Sequence, residues 1–367
     1  MKCFAILLGQ LFIKGILRIG VDMLLKQNVG IVGYGAYVPK TRIKRQDIGS
    51  SWGLSLPPGE RAVCSYDEDS ITMAVEASLD AFQAVDKYGI TPGNMGGIFS
   101  ACSPVKSMDG LLNVILAKTI GTPSNAHLFD LGHSHNAGAS SWLASIDAIN
   151  SSRVNYALAV ISSGETAAPG SELEPYIGAG ATAFIIGKES TLATIEKTYS
   201  HAGFLIDYIT NGNVIRAYHQ NFVEDQGYAA FVSESVTGLL DGTNKSVADF
   251  GHVIIQAPNE RVLGRIGKRI GCKENQISGQ NILQSIGYLG MDSVFMSLAR
   301  LLPSLSPEED VLMVSYGSGV STAFHLKITS KAREEQKWDN LVKDKKYIDY
   351  PTYLRYQGLI EKEKELR

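Results

Sequence analysis

Short apolar runs alternate with segments of helical periodicity along most of the chain. Residues 69–85 carry apolar side chains at helical spacing behind an acidic start, and residues 137–150 form a run of small residues that predicts a second helix. Residues 156–162 and 181–187 are short, almost wholly apolar runs, which predict buried strands on either side of a loop rich in glycine, proline and glutamate. Strands that alternate with helices in this way indicate a layered α/β architecture.

The second half of the chain repeats the order of elements of the first half without repeating its sequence. The remaining predicted strands are residues 29–32, 97–100, 252–255, 311–315 and 323–328, and the remaining predicted helices are residues 108–120, 228–240, 263–270 and 288–302. This pattern divides the chain into an N-terminal extension at 1–27, two α/β halves at 28–190 and 191–330, and a charge-rich, surface-draped tail at 331–367.

Composition narrows the class of protein. The 367 residues are 44% hydrophobic and 19% charged, which is ordinary for a globular chain with a large buried core. The net charge of -3 provides no general basic surface, so we expect neither nucleic acid nor an anionic membrane as a partner. The cysteines show neither a Cys-x-x-Cys metal motif nor a disulfide framework, and this spacing suits a reducing cytoplasm. They are Cys3, Cys64, Cys102 and Cys272.

The start of the chain is apolar but carries charged side chains that a signal peptide would not have. Lys14 and Arg18 interrupt the apolar stretch, and no Ala-x-Ala cleavage site follows it. We therefore interpret residues 1–27 as an extension, with the natural start expected at Met23. A membrane anchor is the alternative interpretation.

Four segments spread over the chain resemble one protein family. Residues 28–39 (NVGIVGYGAYVP) and 67–77 (DEDSITMAVEA) resemble the opening strand, turn and helix of archaeal-type 3-hydroxy-3-methylglutaryl-CoA synthases. Residues 315–319 (SYGSG) and 346–353 (KYIDYPTY) are similar to the glycine-rich turn and the tail of the same family. The resemblance spans residues 28–356. It implies the thiolase-like duplicated fold, an α/β architecture with five layers in the order α-β-α-β-α.

The same resemblance locates the three catalytic positions of the family, and none of them holds the family's residue. Aligned on Asp130 and on Ala137-Gly138, the position of the acyl-accepting cysteine holds His135. The segment 98–104 puts Ala101 at the position of the general-base glutamate, and the segment 256–259 (QAPN) puts Gln256 at that of the catalytic histidine. An imidazole cannot replace a thiolate as the carrier of a stable thioester, and neither alanine nor glutamine transfers a proton near neutral pH. The family's late asparagine is matched by Asn281. We therefore expect the site to be inactive in condensation.

Several of these residues have alternative roles. His135 is interpreted as filling the vacated pocket, with a new catalytic base as the alternative. Cys102, beside the lost glutamate position, is interpreted as a small buried cysteine, with a rival nucleophile as the alternative. The amides of Gln256 and Asn281 could bind a carbonyl oxygen or could satisfy each other.

The sequence predicts no bound cofactor. Gly317 and Gly319 are not followed by the Lys-Ser/Thr pair of a P-loop, so we interpret them as points of close backbone approach. By the resemblance, Arg261 and Arg265 lie where a CoA phosphate would pass. Solvated charges on a helix explain these two arginines equally well.

A chain of this superfamily without the nucleophile fits one known arrangement. In bacterial multicomponent acyltransferases that C-acetylate phloroglucinols, a synthase-like chain assembles with a thiolase-like catalytic chain and a small OB-fold, zinc-binding chain. The resemblance therefore implies a structural, non-catalytic subunit, homodimeric within a larger complex, whose thiolase-like partner supplies the cysteine. Two alternatives stay open: an active condensing enzyme with a non-standard nucleophile, and a non-catalytic binder of a CoA ester or an aromatic polyketide.

Overall fold

Strands and helices alternate over the residues that the computed structural model describes, which are 23–24, 28–104, 112–132, 134–205, 207–211, 214–217, 227–278, 280–332 and 338–361. The strands are β1 Met23–Leu24, β2 Gly30–Tyr37, β3 Thr41–Lys44, β4 Glu60–Ala62, β5 Gly97–Ser103, β6 His127–Asp130, β7 Ala157–Ser163, β8 Thr166–Ala167, β9 Gly180–Gly187, β10 Ala193–Ala202, β11 Tyr208–Asn211, β12 Val214–Ala217, β13 His252–Ile255, β14 Ile277–Ser278, β15 Asp310–Gly317, β16 Val320–Ile328 and β17 Lys346–Tyr347. The helices are α1 Arg45–Ser51, α2 Ser70–Val85, α3 Leu112–Ile120, α4 Ala137–Asn150, α5 Ala229–Leu240, α6 Glu260–Arg269, α7 Gln280–Ser285, α8 Ser293–Leu301, α9 Trp338–Lys343 and α10 Tyr350–Tyr356.

The main sheet consists of two sets of strands with the same order and the same directions. The first set runs β6-β5-β7-β9-β2, and the second runs β14-β13-β15-β16-β10, so the same relative order along the chain occurs twice. In each set the first two pairings are parallel and the last two are antiparallel. The sets meet where β10 pairs with β2. This internal duplication confirms the predicted thiolase-like fold class.

Three apolar clusters fill the spaces between five layers, and the central cluster covers both sides of the middle layer. Helices α2 and α3 pack on the outer face of the first set, and α5 and α6 pack on the outer face of the second. Helices α4 and α8 lie between the two sets. At the centre, the fully buried ring of Trp142 on α4 lies 4.9 Å from Phe184 of the first set and 5.7 Å from Phe324 of the second, measured between ring centroids. One aromatic side chain therefore joins the two halves.

Helix α4 consists of small residues because another segment passes close to its start. A Cβ atom on Gly138 would lie only 2.6 Å from the carbonyl oxygen of Met291 and 2.7 Å from the ring of Phe295. Ala137 and Ala139 beside it are buried as well. The sequence predicted this helix with the same bounds that the structure has.

Two other helices differ from their predicted bounds. Helix α6 begins at Glu260 rather than at residue 263, since the side chain of Asn259 caps it by accepting a hydrogen bond from the backbone N–H of Val262 at 3.0 Å. The helix predicted at 288–302 begins only at Ser293. The chain turns before it, with Gly290 at a φ of 51°. The predicted helix at 108–120 is described from Leu112 onward, and its first residues lie outside the described ranges.

The C-terminal segment is more integrated than a surface-draped tail. Strand β17 pairs in parallel with β3, and helix α10 buries Tyr350 and Tyr353, which are 8% and 1% exposed. The abundance of charged residues predicted a surface-draped tail, but Tyr350 and Tyr353, with Ile348, Leu354 and Leu359, supply the apolar surface that docks it.

The predicted N-terminal extension lies outside the described residues except for Met23 and Leu24, which pair with β10. None of the helices in the described ranges combines the length and the apolar character that a bilayer crossing requires.

Candidate functional site

His135 lies in the turn between strand β6 and helix α4, at the centre of the molecule. Its side chain is buried, with only 5% of the residue exposed. The end of β15 passes directly over it: a Cβ atom on Gly317 would lie 2.4 Å from the Cβ of His135 and 2.9 Å from the backbone nitrogen of Asn136. The expected role of Gly317 as a point of close backbone approach is therefore what the geometry requires.

A carboxylate that the sequence did not single out contacts the imidazole. Oε2 of Glu165 lies 3.0 Å from Nε2 of His135, and both side chains are almost fully buried. The other oxygen of Glu165 accepts a hydrogen bond of 2.6 Å from the hydroxyl of Ser103. The position that the resemblance assigns to the family's nucleophile therefore holds a buried His–Glu pair.

The pKa of His135 is raised and that of Glu165 is lowered, and both directions favour the charged forms of the two side chains. Burial lowers the pKa of His135, but the charge and the hydrogen bond of Glu165 and the charge of Asp207 outweigh burial and leave the pKa raised. Burial raises the pKa of Glu165, but the charge of His135 and the hydrogen bonds from His135 and Ser103 leave it lowered. An imidazolium paired in this way has no free lone pair with which to attack an acyl group.

A second carboxylate, that of Asp207, also acts on His135. Asp207 accepts hydrogen bonds of 2.9 Å from the hydroxyl of Tyr316 and of 3.3 Å from the backbone N–H of Gly319. Burial raises the pKa of Asp207 in spite of these donors, while its charge contributes to the raised pKa of His135. Gly319 has a φ of 73°, which explains why glycine is needed in this turn.

Gln256, at the position that the resemblance assigns to the catalytic histidine, has both ends of its amide hydrogen-bonded to its neighbours. Its Nε2 donates to the hydroxyl of Tyr288 at 3.1 Å and to the carbonyl oxygen of His135 at 3.5 Å. Its Oε1 accepts from the hydroxyl of Ser315 at 3.0 Å and from the backbone N–H of Tyr316 at 3.3 Å. A buried amide with both ends paired serves to hold these segments together, and no donor remains for a substrate carbonyl.

Ala101 and Cys102 point to opposite faces of strand β5, because successive side chains of a strand alternate. Ala101 and Phe99 belong to the central cluster, whereas Cys102 and Ile98 belong to the cluster under α2 and α3. Burial, with smaller contributions from nearby carboxylates, raises the pKa of the Cys102 thiol far above its ordinary value. The structure therefore separates Cys102 from the face that carries the His–Glu pair, and it keeps the thiol protonated.

The described structure does not test a role for Asn281. The residue lies in helix α7, and its side chain is outside the described part of the chain. The side chain that meets the amide of Gln256 belongs instead to Tyr288, whose hydroxyl also lies 3.1 Å from that of Tyr228. Burial raises the pKa of Tyr288 to about 12, so this hydroxyl stays neutral.

Arg261 and Arg265 lie one turn apart on the exposed face of helix α6. Arg261 lines a cavity of about 910 Å³ together with Arg45 and Tyr176. The buried guanidinium of Arg45 lies 4.7 Å from the ring centroid of Tyr176. One backbone hydrogen bond of 2.7 Å, from Tyr288 to Tyr176, connects the wall of this cavity to the network around Gln256.

Sequence reasoning missed Glu165 and Ser103 because their proximity depends on strand register. Ser103 at the end of β5 pairs with Ser163 at the end of β7, which places Glu165 beside Ser103 although 62 residues separate them. The loop after β7 was recognised as rich in glutamate, and that was the available signal. Over the described ranges no group of three or more potential ligands could hold a metal ion.

Taken together, the described side chains of the site include neither a reactive thiol nor a free base. At the three positions that the resemblance marks as catalytic, His135 has an ion-paired imidazole and Ala101 has only a methyl group. The amide of Gln256 has both its oxygen and its nitrogen hydrogen-bonded to neighbouring groups. Nucleophilic acyl transfer needs an activated nucleophile beside a base, and the described side chains do not provide that combination.

Comparisons with known proteins agree with the duplicated fold. No family model matches the chain. A hydroxymethylglutaryl-CoA synthase of Methanobrevibacter smithii is 31% identical over 346 residues, which cover 91% of this chain and 99% of that protein. The synthase of Caldivirga maquilingensis is 29% identical over 346 residues, covering 91% and 98%.

Solved structures share the architecture at much lower identity. An HMG-CoA synthase complexed with CoA superposes with a TM-score of 0.80 at 15% identity, covering 90% of each chain. The HMG synthase of the curacin biosynthetic pathway, in complex with holo donor-ACP, gives 0.78 at 17% identity, covering 90% of this chain and 88% of that one. The fold is that of the thiolase-like condensing enzymes. The chain belongs to the hydroxymethylglutaryl-CoA synthase family.

Proposed function

We propose that this chain is a non-catalytic, structural subunit of a multicomponent acyltransferase that C-acetylates phloroglucinols, as in 2,4-diacetylphloroglucinol biosynthesis. A thiolase-like partner supplies the nucleophilic cysteine, and a small OB-fold, zinc-binding chain completes the assembly. The observation that supports the proposal is the buried ionic contact between His135 and Glu165, because the resemblance assigns the family's nucleophile to the position of His135.

The chemistry of acetyl transfer explains why a partner is needed. The thiol of the partner's cysteine adds to the acetyl carbonyl of one monoacetylphloroglucinol. As the C–C bond breaks, the acetyl group stays on sulfur as a thioester and the released ring carbon takes up a proton. A ring carbon of a second molecule then attacks the thioester, the C–S bond breaks, and the ring proton leaves. The products are diacetylphloroglucinol and phloroglucinol. The thioester step requires a thiolate, and the buried, protonated Cys102 does not offer one.

The free edge of the main sheet supports a homodimer within the complex. All four residues of β6 are exposed, and no strand of the described ranges pairs with its outer side. Leu128 and Phe129 on this edge are 38% and 39% exposed. An unpaired strand edge with exposed apolar side chains tends to pair with a strand of another chain. Because such an edge pairs with its own copy about a two-fold axis, the proposed occupant is β6 of a second copy.

A second candidate function is non-catalytic binding of a CoA ester or an aromatic polyketide. The observation in its favour is the cavity of about 910 Å³, which is large enough for such a ligand and is lined by Arg45 and Arg261. Under this function the chain would act without a thiolase-like partner. The partner dependence of acetyl transfer therefore separates the two candidates.

Reconstitution tests the proposal. Alone, the chain is expected to transfer no acetyl group between monoacetylphloroglucinol molecules, and with both partner chains transfer is expected to appear. Phe129→Asp should weaken assembly by about tenfold or more. Leu79→Asp, at a side chain of α2 with 38% exposure, should leave assembly unchanged. Transfer by the isolated chain would contradict the proposal. Equal transfer by the two partners without this chain would favour the binding candidate.

A further inference from the structure

The end of the chain is bound to a face of the molecule far from it in sequence. Residues 346–359, here named the C-terminal strap, comprise β17, α10 and the turn that follows. Ile348, Leu354 and Leu359 of the strap pack against a cluster that contains Ile43, Ile48 of α1 and Val63. The strap is therefore anchored by apolar packing and by its pairing with β3.

The strap also binds the loop that carries Glu165. We name residues 164–179, between β7 and β9, the Glu165 loop. The side-chain oxygen of Gln357 accepts a hydrogen bond of 3.1 Å from the hydroxyl of Thr166, the residue next to Glu165. The side-chain nitrogen of Gln357 donates to the carbonyl oxygen of Cys64 at 2.9 Å, which fixes the orientation of the amide.

A second contact fastens the middle of the same loop. The hydroxyl of Tyr350 donates to Oε1 of Glu174 at 2.9 Å and accepts from Nε1 of Trp52, also at 2.9 Å. Glu174 is fully buried, and its other oxygen accepts a hydrogen bond of 2.6 Å from the backbone N–H of Gly170. The strap therefore supplies the second hydrogen bond to the buried carboxylate of Glu174, whose first hydrogen bond comes from its own loop.

A third contact fastens the far end of the loop. The buried guanidinium of Arg61 donates to the carbonyl oxygen of Ile177 at 2.6 Å and lies 4.4 Å from the ring centroid of Tyr353. The strap thus covers the side chain that holds Ile177. Contacts at residues 166, 174 and 177 are spaced along the whole Glu165 loop, and all three involve the strap or a side chain under it.

We propose that the C-terminal strap, together with the pairing of β8 with β12 and the bond from Ser103, holds the Glu165 loop against His135, with Gln357 and Tyr350 as the positioning residues of the strap. The loop is rich in glycine and proline and has only the two-residue strand β8 as regular structure. Such a loop loses much conformational entropy on ordering, so the contacts that order it decide where its side chains lie. This inference holds whether or not the chain works in a complex.

The pKa of the His135 imidazole reports directly on the distance to Glu165, because Glu165 raises that pKa. The other charged group that acts on His135 is Asp207, which directly precedes β11 and whose hydrogen bonds come from Tyr316 and Gly319 rather than from the strap. In the full-length protein, Gln357→Ala and Tyr350→Phe are expected to lower this pKa by about half a unit or more, measured by NMR of labelled histidine. The His135 resonance is assigned by its loss in His135→Leu.

The strap offers a matched control. Tyr347 also donates from its hydroxyl to a carboxylate, at 2.6 Å to Glu60, but Glu60 belongs to β4 and not to the Glu165 loop. Tyr347→Phe therefore removes the same kind of bond from the same strap and should leave the His135 pKa at its wild-type value. An unchanged pKa in both Gln357→Ala and Tyr350→Phe would overturn the proposal. An equal shift in the control would overturn it as well, because it would show only general loosening.

Amide hydrogen exchange gives an independent measurement in the same proteins. The backbone N–H of Gly170 is bound to Glu174, whose other oxygen is held by Tyr350. Tyr350→Phe is expected to speed exchange at Gly170 by about tenfold, while Tyr347→Phe leaves it unchanged. Exchange at Gly170 that is equally slow in all three proteins would also overturn the proposal.

Discussion

Replacing His135 by leucine is expected to destabilise the fold by about 3 kcal/mol at pH 7. The change leaves Glu165 buried without its counter-charge, so the carboxyl must either stay ionised in an apolar site or take up a proton. Uptake by a group with an ordinary pKa of 4.5 costs about 1.4 kcal/mol for each pH unit above that value, which limits the loss at pH 7 to about 3 kcal/mol. Urea unfolding measures this difference.

Replacing the other member of the pair, Glu165, is expected to reduce the stability of the fold much less. In Glu165→Gln, His135 can release its proton at almost no cost at pH 7, because its ordinary pKa is 6.5. The glutamine also keeps an acceptor for the hydroxyl of Ser103. We expect a loss of about 1 kcal/mol or less. The double variant should be more stable than the sum of the two single losses predicts, because neither charge then remains.

The pH dependence follows from the directions of the two pKa shifts. The raised pKa of His135 contributes stability that is fully present below pH 6.5 and is lost as the pH rises through the folded-state value. The lowered pKa of Glu165 contributes stability that is present above pH 4.5 and is lost as the pH falls through the folded-state value. In the wild-type protein the pair therefore stabilises the fold most between pH 4.5 and pH 6.5.

In His135→Leu the buried carboxyl keeps its proton in the folded state and loses it on unfolding. Its stability should fall by about 1.4 kcal/mol per unit as the pH rises above 4.5. The penalty relative to wild type should therefore grow by about 2 kcal/mol between pH 5 and pH 6.5. A penalty that is small and independent of pH would show that His135 and Glu165 do not form an ionic pair.

The second large effect is expected at Gly317. A Cβ atom there would lie 2.4 Å from the Cβ of His135 and 2.6 Å from its carbonyl carbon, and neither is the flexible end of a side chain. Gly317→Ala must therefore push the His135 turn away from β15. We expect a loss of about 3 kcal/mol, measured by urea unfolding, from overpacking and from separation of the buried pair.

Gly264 in helix α6 provides the matched control for Gly317. A Cβ atom at Gly264 would meet nothing within 4 Å, and the residue lies inside a helix. Gly264→Ala should therefore raise stability by about 0.5–1 kcal/mol. Equal effects of the two substitutions would contradict the close approach of β15 to His135.

Much of the fold could be predicted from local signals. The bounds of α4 followed from its run of small residues, and those of β13 from a short apolar run. The start predicted at residue 288 for helix α8 was wrong, because the apolar spacing continues through Gly290, where the backbone turns. Strand β6 was missed because it is only four residues long and none of its residues is buried, so it has no pattern of buried and exposed positions.

The site was predictable only in part. The resemblance placed His135 and Gln256, and the structure brings them together within one network. The partner of His135 could not be predicted, because Glu165 reaches it through the pairing of β5 with β7 and the fold of a loop without strong local signals. The orientation of Cys102 follows from strand alternation only once the bounds of β5 are known.

Intact mass spectrometry of the full-length chain under denaturing conditions, after incubation with acetyl-CoA, is the most direct test of whether this chain carries the acyl group itself. With His135 paired to Glu165 and the Cys102 thiol buried and protonated, the protein is expected to keep its original mass. A stoichiometric acetyl adduct that disappears in Cys102→Ala or in His135→Leu would contradict this expectation and would identify the nucleophile.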